Sequence, residues 1–277
     1  MRVLSAGDLL HIWDWGQGRS PTARALLMLS AAYPDVSAQT LADLPIGQRD
    51  GQLLKLRSHT FGSQLQATAR CPQCAEILEY NLSVQDIVVA TPDSSLLIDE
   101  DAIGEASAEP DLYRWQQEDY AVRFRLPTSA DILAVFDAGD RAQKSGSTAL
   151  MQRCLVAVSK QGEAIAFNSL PSEIIDALEN QIAQQDPQAE ILLALSCLAC
   201  NHQWQILFDI VDFFWREIAV TAQRLLQQVH LLASTYGWHE ADILNLSPRR
   251  RAAYINQISG GLSSGQTESP FSQVMGL

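Results

Sequence analysis

Four of the five cysteines in the chain form two C-x-x-C pairs, Cys71-Pro72-Gln73-Cys74 and Cys197-Leu198-Ala199-Cys200, and Cys154 stands alone. A C-x-x-C turn points two thiolates at one spot. Two such turns facing one another supply the four soft ligands that a zinc ion takes in a tetrahedron. One zinc per chain is the expectation. With cysteine in every position no site is left for water or substrate, so the metal would be structural. Two other readings stay open at this point: buried thiols without metal, and a thiol–disulfide site. A redox C-x-x-C belongs at a helix N-terminus in a βαβ setting, whereas both pairs here lie between strand-like runs. His202, two residues past Cys200, is read as a surface or supporting residue. Cys154 is read as a core thiol on a helix with Leu155 and Val158.

The flanks of the two pairs predict what positions them. Leu65, Ala67 and Ala69 alternate with Gln64, Gln66, Thr68 and Arg70, a period-two pattern that marks a strand. Ile77 to Leu82 is a second strand-like run, so the first pair sits at a hairpin tip. The second pair repeats the arrangement: Ile191–Leu195 reads as a buried strand, Gln203–Phe208 as its partner, and Asp209-Ile210 closes it as Asp86-Ile87 closes the first copy. Pro72 favours a knuckle, and Asn201 tolerates the left-handed turn a knuckle needs. Ala75, at the equivalent place, is a poorer fit than Gly.

Between Cys74 and Cys197 lie 122 residues, against about 15–20 in an ordinary ribbon. The predicted fold is therefore α+β: a split four-cysteine zinc ribbon of two β-hairpins, an inserted mixed α/β segment, and flanking N- and C-terminal helices. The predicted organisation is a helical region over 1–62, a first knuckle hairpin over 63–90, an acidic linker over 91–110, the insert over 111–190, a second hairpin over 191–211, C-terminal helices over 212–259 and a flexible tail over 260–277. Within these, Ser20 with Pro21 predicts a helix start, Ser129 a helix beginning at Asp131, and further helices are expected over 147–159 and 171–186.

The chain has 277 residues, 47 % of them hydrophobic, and a net charge of −13. That charge repels phosphate backbones and argues against general nucleic-acid binding. No run of about 18 apolar residues predicts a membrane span. No P-loop, G-x-S-x-G, H-E-x-x-H or dinucleotide fingerprint is present, and the carboxylate runs at 99–101 and 240–242 read as solvated. An enzyme is not expected, nor a small-molecule substrate. His230, Trp238, His239 and Glu240 cluster in sequence without an identifiable catalytic partner. Two features suggest a partner-binding surface near the C-terminus: the aromatic run Phe213, Phe214 and Trp215, with core burial as its default, and the basic cluster Arg249, Arg250 and Arg251.

Several segments together resemble a known group. They are Leu44-Pro45-Ile46-Gly47-Gln48-Arg49-Asp50 with Leu53–Arg57, Phe61-Gly62 leading to the first cysteine pair, Phe124-Arg125-Leu126-Pro127-Thr128 with Asp131, Cys197 to Trp204, and Phe214–Ile218 with His230, Tyr236-Gly237-Trp238 and Ser247–Arg251. The chain resembles the baseplate proteins and baseplate-hub assembly chaperones of contractile-tailed phages and related contractile injection systems. Ala75 and Leu198 stand where that group tends to show Gly and Pro, changes that touch the turn and leave the ligands intact. The resemblance implies a structural or chaperone-like part of a tail baseplate, with other baseplate or tail-hub proteins as partners. It implies assembly in the bacterial cytoplasm, with retention in the particle open. A zinc-ribbon nucleic-acid module is the alternative.

Overall fold

The computed structural model describes residues 1–89, 111–137 and 143–263. The expected acidic linker and the end of the expected tail lie outside them. The chain divides into two compact units, Met1–Val3 with Trp15–Arg216, and Leu4–Asp14 with Glu217–Leu277.

Among its described residues the first unit is a mixed α+β structure with three small antiparallel sheets. It opens with α2 (Pro21–Ala32), which follows α1 (Ala6–Gly16) and is capped by Ser20 accepting from the Ala23 amide, with Pro21 at the first helical position. Next come α3 (Ala38–Ala42) and α4 (Ile46–Phe61). Met28 and Leu29 of α2, Leu41 of α3 and Leu53, Leu54 and Leu56 of α4 are fully buried and make the apolar centre of this helical part.

Two motifs around α4 are explained by long-range bonds. Proline at position 45 leaves the helix without a side-chain cap of its own. The Asp186 carboxylate, 139 residues away, accepts instead from the Gly47 amide at 2.9 Å. A β-carbon at position 47 would collide with that carboxylate and come within 3.0 Å of the Ala189 amide nitrogen. Gly47→Ala is therefore expected to destabilise the protein by about 1–3 kcal/mol, read as a lower urea midpoint with unchanged slope; an unchanged midpoint would contradict this packing. At the other end, buried Arg57 donates to the carbonyls of Gly62 (2.6 Å) and Gln64 (2.8 Å), fixing the passage from helix to strand.

The insert forms a four-stranded sheet in the order β3 (Tyr113–Gln117), β4 (Tyr120–Phe124), β5 (Leu155–Lys160), β6 (Glu163–Ala164). Helices α6 (Ser129–Asp137) and α7 (Gln143–Cys154) lie between β4 and β5, and α8 (Ser172–Gln185) follows β6. Tyr120, Val122, Phe124, Met151, Val158, Leu170, Ile174 and Leu178 pack into its core.

Two expectations need correction here. The helix expected over 147–159 ends at Cys154, and Leu155 and Val158 lie on β5, because pairing with β4 captures the alternating Leu-Val-Ala-Val-Ser run. Cys154 is nevertheless a buried core thiol, pushed up to about 11 by burial and the neighbouring Asp131 charge. The helix expected from Asp131 begins at Ser129, since Thr128 is the cap: its hydroxyl accepts from the Asp131 amide at 3.3 Å while Asp131 accepts from the Thr128 amide at 3.1 Å.

The same Asp131 carboxylate, almost completely buried, accepts from Arg125 at both oxygens, from Arg153 Nε at 3.0 Å and from the Thr128 hydroxyl at 2.9 Å. Five donors on one carboxylate tie α6, α7 and the exit of β4 together. The segment from Phe124 to Asp131 is thus a structural knot. It is joined in turn to the start of α4 by the Ile46 amide donating to the Pro127 carbonyl at 3.1 Å.

Among its described residues the second unit is mainly helical. It contains most of α1 and most of α9 (Ile210–Tyr236), whose first two turns belong to the first unit, together with α10 (Glu240–Asn245) and α11 (Pro248–Ser263). Helix α11 continues past Gly260, where the tail was expected to begin. No helix among the described residues is long and apolar enough to cross a membrane.

Candidate metal centre

Each cysteine pair sits at the tip of a two-stranded antiparallel hairpin. The first is β1 (Gln64–Arg70) with β2 (Ile77–Ser83), closed by the short helix α5 (Val84–Ile87). The second is β7 (Ile191–Ser196) with β8 (Gln203–Phe208). In the first, Leu65 is buried while Gln64, Gln66, Thr68 and Arg70 face solvent, as the alternation predicts. The second departs from expectation. Its β7 was read as buried, yet Leu192 is 51 % exposed and its cross-strand partner Leu207 60 % exposed. A two-stranded ribbon has only one face to cover, so an apolar run does not make both faces interior.

The two tips are built alike. The amide of Cys71 donates to the Glu76 carbonyl (2.8 Å) and that of Ala75 to the Cys71 carbonyl (3.0 Å). In the second copy Cys197 donates to His202 (2.9 Å) and Asn201 to Cys197 (2.8 Å). Both turns need a left-handed residue straight after the second cysteine, and both have one: Ala75 at φ 62° and Asn201 at φ 57°. Asparagine accepts this conformation readily, whereas alanine's β-carbon crowds the following carbonyl. Ala75→Gly is accordingly expected to stabilise the protein by about 0.5–1 kcal/mol, measured by urea denaturation of metal-loaded protein. A lower midpoint would show that the turn is not strained.

The four sulfurs converge. Cys71 Sγ lies 3.7 Å from Cys200 Sγ and Cys74 Sγ lies 3.6 Å from Cys197 Sγ, and all four are within 4.8 Å of one another. The full spread is wider than the roughly 4 Å that a tight tetrahedron would give. No pair is at disulfide length, and all five cysteines are free thiols. Cys71 and Cys197 are buried, Cys200 half-buried and Cys74 exposed.

Backbone amides point into the cluster. Burial works against ionisation of Cys71, but the amides of Cys74 and Gln73 and the neighbouring Cys74 and Cys200 thiols outweigh it and draw the group down to about 7. The Glu76 amide pulls Cys74 down, yet Cys200, burial and Cys197 push it up to about 12. The His202 amide and the Cys74 thiol favour the Cys200 thiolate, while burial and the Cys71 and Cys197 thiols leave it raised. Four sulfurs this close cannot all ionise unless a cation balances them, which is the electrostatic condition of a metal site.

Among the described residues the cluster consists of the four cysteines. The His202 ring stacks on Trp204 at 5.9 Å, and Cys154 is buried at the end of α7 in the insert. The donor amides of Gln73, Glu76 and His202 carried no sequence signal, since any residue but proline supplies one.

The expected partner surface is only partly presented. Phe214 is fully buried and Trp215 nearly so, each with a purpose inside the first unit. Phe214 meets the edge of Phe61 at 5.9 Å, and Trp215 lies under the Arg24 guanidinium at 4.2 Å. Phe213 is half-buried against Phe208, with Arg57 above it. Phe214 and Trp215 are core, contrary to the expected docking role, because both rings are packed inside the first unit; Phe213 is covered only in part. Arg251 is also buried: it donates to the carbonyls of Leu244 (3.2 Å) and Leu246 (2.7 Å) and to Gln228 Oε1 (3.1 Å), capping the end of α10. Arg249 and Arg250 are exposed. A cluster that sequence spacing did not reveal lies close by in the chain. Trp238 stacks on Tyr236 at 4.9 Å and meets the edge of Tyr254, sixteen residues later, also at 4.9 Å.

No curated protein and no solved structure matches the chain significantly. The family described as T4 bacteriophage base plate protein matches residues 24–215. That span exceeds two thirds of the chain and takes in α4, both cysteine hairpins and the insert between them. The chain belongs to the T4 bacteriophage base plate protein family.

Proposed function

We propose that this baseplate protein is a non-enzymatic structural or assembly component of a contractile phage tail or a related injection system. In this reading its two hairpins are locked together by one zinc ion on Cys71, Cys74, Cys197 and Cys200, as a split zinc ribbon. The observation that carries the metal is the pair of sulfur separations, 3.6 and 3.7 Å. Ligands at about 2.3 Å from a tetrahedral centre lie about 3.8 Å apart. Matching knuckle amides would hold the thiolates in place, much as outer-shell donors do in other metal sites.

A bound zinc would supply a cross-link and no reactivity, since four sulfurs leave it no open position. The chain's own residues explain why a cross-link is useful. An isolated two-stranded hairpin is marginally stable, and the 122 residues between the pairs make closing the ribbon entropically costly. Binding to other baseplate proteins accounts for a chain whose strongest sequence motifs resolve into helix caps and ion clusters. A net charge of −13 counts against the nucleic-acid alternative.

The test is purification of the tagged full chain from cells producing the complete baseplate, during assembly and from finished particles. Recovery of other baseplate proteins at either stage is expected, and their presence only during assembly would mark a chaperone. Recovery of neither, from folded protein, would contradict the proposal.

A further inference from the structure

We propose that the second unit carries a docking surface, formed by Tyr236, Trp238, Tyr254, Arg249 and Arg250, for an acidic segment of another baseplate protein. This deepens the assembly reading above and rests on it.

Three rings make the apolar part. Tyr236 and Trp238 stack at 4.9 Å, Trp238 and Tyr254 meet at 4.9 Å nearly at right angles, and Tyr236 and Tyr254 meet at 5.8 Å. None is buried, and Tyr236 is 38 % exposed. Each ring is held by the other two, so little side-chain freedom remains to be lost on binding. Locked, partly exposed aromatics are the residues that act as anchors in interfaces.

The charged part adjoins it. Arg250 precedes Tyr254 by one helical turn and so shares its side of α11. Arg249 and Arg250 are exposed, and among the described residues neither side chain has an ion-pair or hydrogen-bond partner. Two cations in the first turn oppose the helix dipole, and among the described residues no acidic side chain pairs with either. Arg251, by contrast, is consumed in capping α10.

Charge sets the identity of the partner. Residues 217–277 contain four acidic and four basic side chains, so the whole net charge of −13 resides in the preceding 216 residues. An acidic partner is repelled by the rest of the chain and admitted here. Carboxylates would pair with the two guanidinium groups while an apolar side chain packs on the rings, an arrangement in which arginine orients and the aromatics supply affinity.

The experiment places the photo-crosslinker benzoylphenylalanine at Ala253, which is exposed and lies one turn from Arg249, in the full chain produced together with the complete baseplate. A second preparation carries it at exposed Thr68 on β1. The expected result is a crosslink from position 253 to a segment of another baseplate protein that carries net negative charge. Its yield should fall at least tenfold in the R249E/R250E variant, with metal content and co-purification of that variant's other partners retained. A crosslink to a neutral or basic segment, or a yield indifferent to charge reversal, overturns the proposal. So does silence at 253 while the chain still co-purifies with baseplate proteins or crosslinks them from position 68. Failure to associate at either position and to co-purify overturns the assembly reading itself.

Discussion

Cys197→Ser is expected to lose zinc and to unfold with a deficit of about 3 kcal/mol or more relative to the loaded protein, because structural metal binding is folding free energy. Cys197 is fully buried, and its sulfur is 3.6 Å from that of Cys74 on the other hairpin. Serine offers a poor ligand there and leaves a buried hydroxyl among thiolates. The loss should concentrate in the hairpins. Amide exchange should rise across 64–83 and 191–208, while the insert, whose core around Phe124 and Leu178 is separate, keeps much of its protection. Cys154→Ser is the control: it should shift stability by about 1 kcal/mol and leave metal content unchanged. If Cys154→Ser removed the metal and Cys197→Ser did not, the ligand assignment would be wrong.

The second large effect is expected at Asp131. Asp131→Ala removes one carboxylate and with it the hydrogen bonds that Arg125 and Arg153 donate to it. Arg125 keeps the carbonyls of Leu126 and Arg153, and Arg153 Nε is left without its acceptor. Breaking a buried ion cluster costs about 3–5 kcal/mol. The lower end is expected here, because the Arg153 side chain is 46 % exposed and solvent screens it.

The acid sensitivity follows from the same contacts. Burial raises the Asp131 carboxyl, but Arg125, Thr128 and Arg153 outweigh it and hold the group down at about 2, against 3.8 for an ordinary aspartate. A folded-state value below the unfolded one favours folding wherever the group is ionised. That contribution is complete above about pH 4 and is lost as pH falls from 4 towards 2. Asp50 has the opposite sign. Burial lifts it to about 6, against the pull of Arg49, so its contribution is present below about pH 4 and is lost as pH rises to 6. Asp131→Asn should therefore flatten the loss of stability below pH 4 and leave the change between 4 and 6 in place. An unaltered acid limb in that variant would remove Asp131 from the account.

What the sequence disclosed depended on how local the determining physics is. The cysteines were legible because ligand type and spacing are read directly from the chain. The hairpins were legible because alternation and turn residues act within a few positions. Ser20 with Pro21 was legible for the same reason.

Strand β5 was not, because no glycine or proline marks the boundary at Cys154 and the choice between helix and strand is made by β4, some thirty residues away. Arg251 was read with Arg249 and Arg250 as one basic patch. Its burial depends on where α10 ends, and only the fold places the Leu244 and Leu246 carbonyls beside it. Phe214 and Trp215 illustrate the same limit: their type suited either core or interface, and packing against Phe61 and Arg24 decided. The motif from Leu44 to Asp50 carried the resemblance but not its reason, which is a helix start capped by Asp186 from 139 residues away.

The central claim is that one zinc joins the two hairpins, and its most direct test is zinc-edge X-ray absorption together with metal analysis on the full chain purified without chelators. The account predicts one zinc per chain, surrounded by four sulfurs at about 2.3 Å with no nitrogen or oxygen in the shell. Protein that is folded and metal-free, or a zinc bound by fewer than four sulfurs, would contradict it.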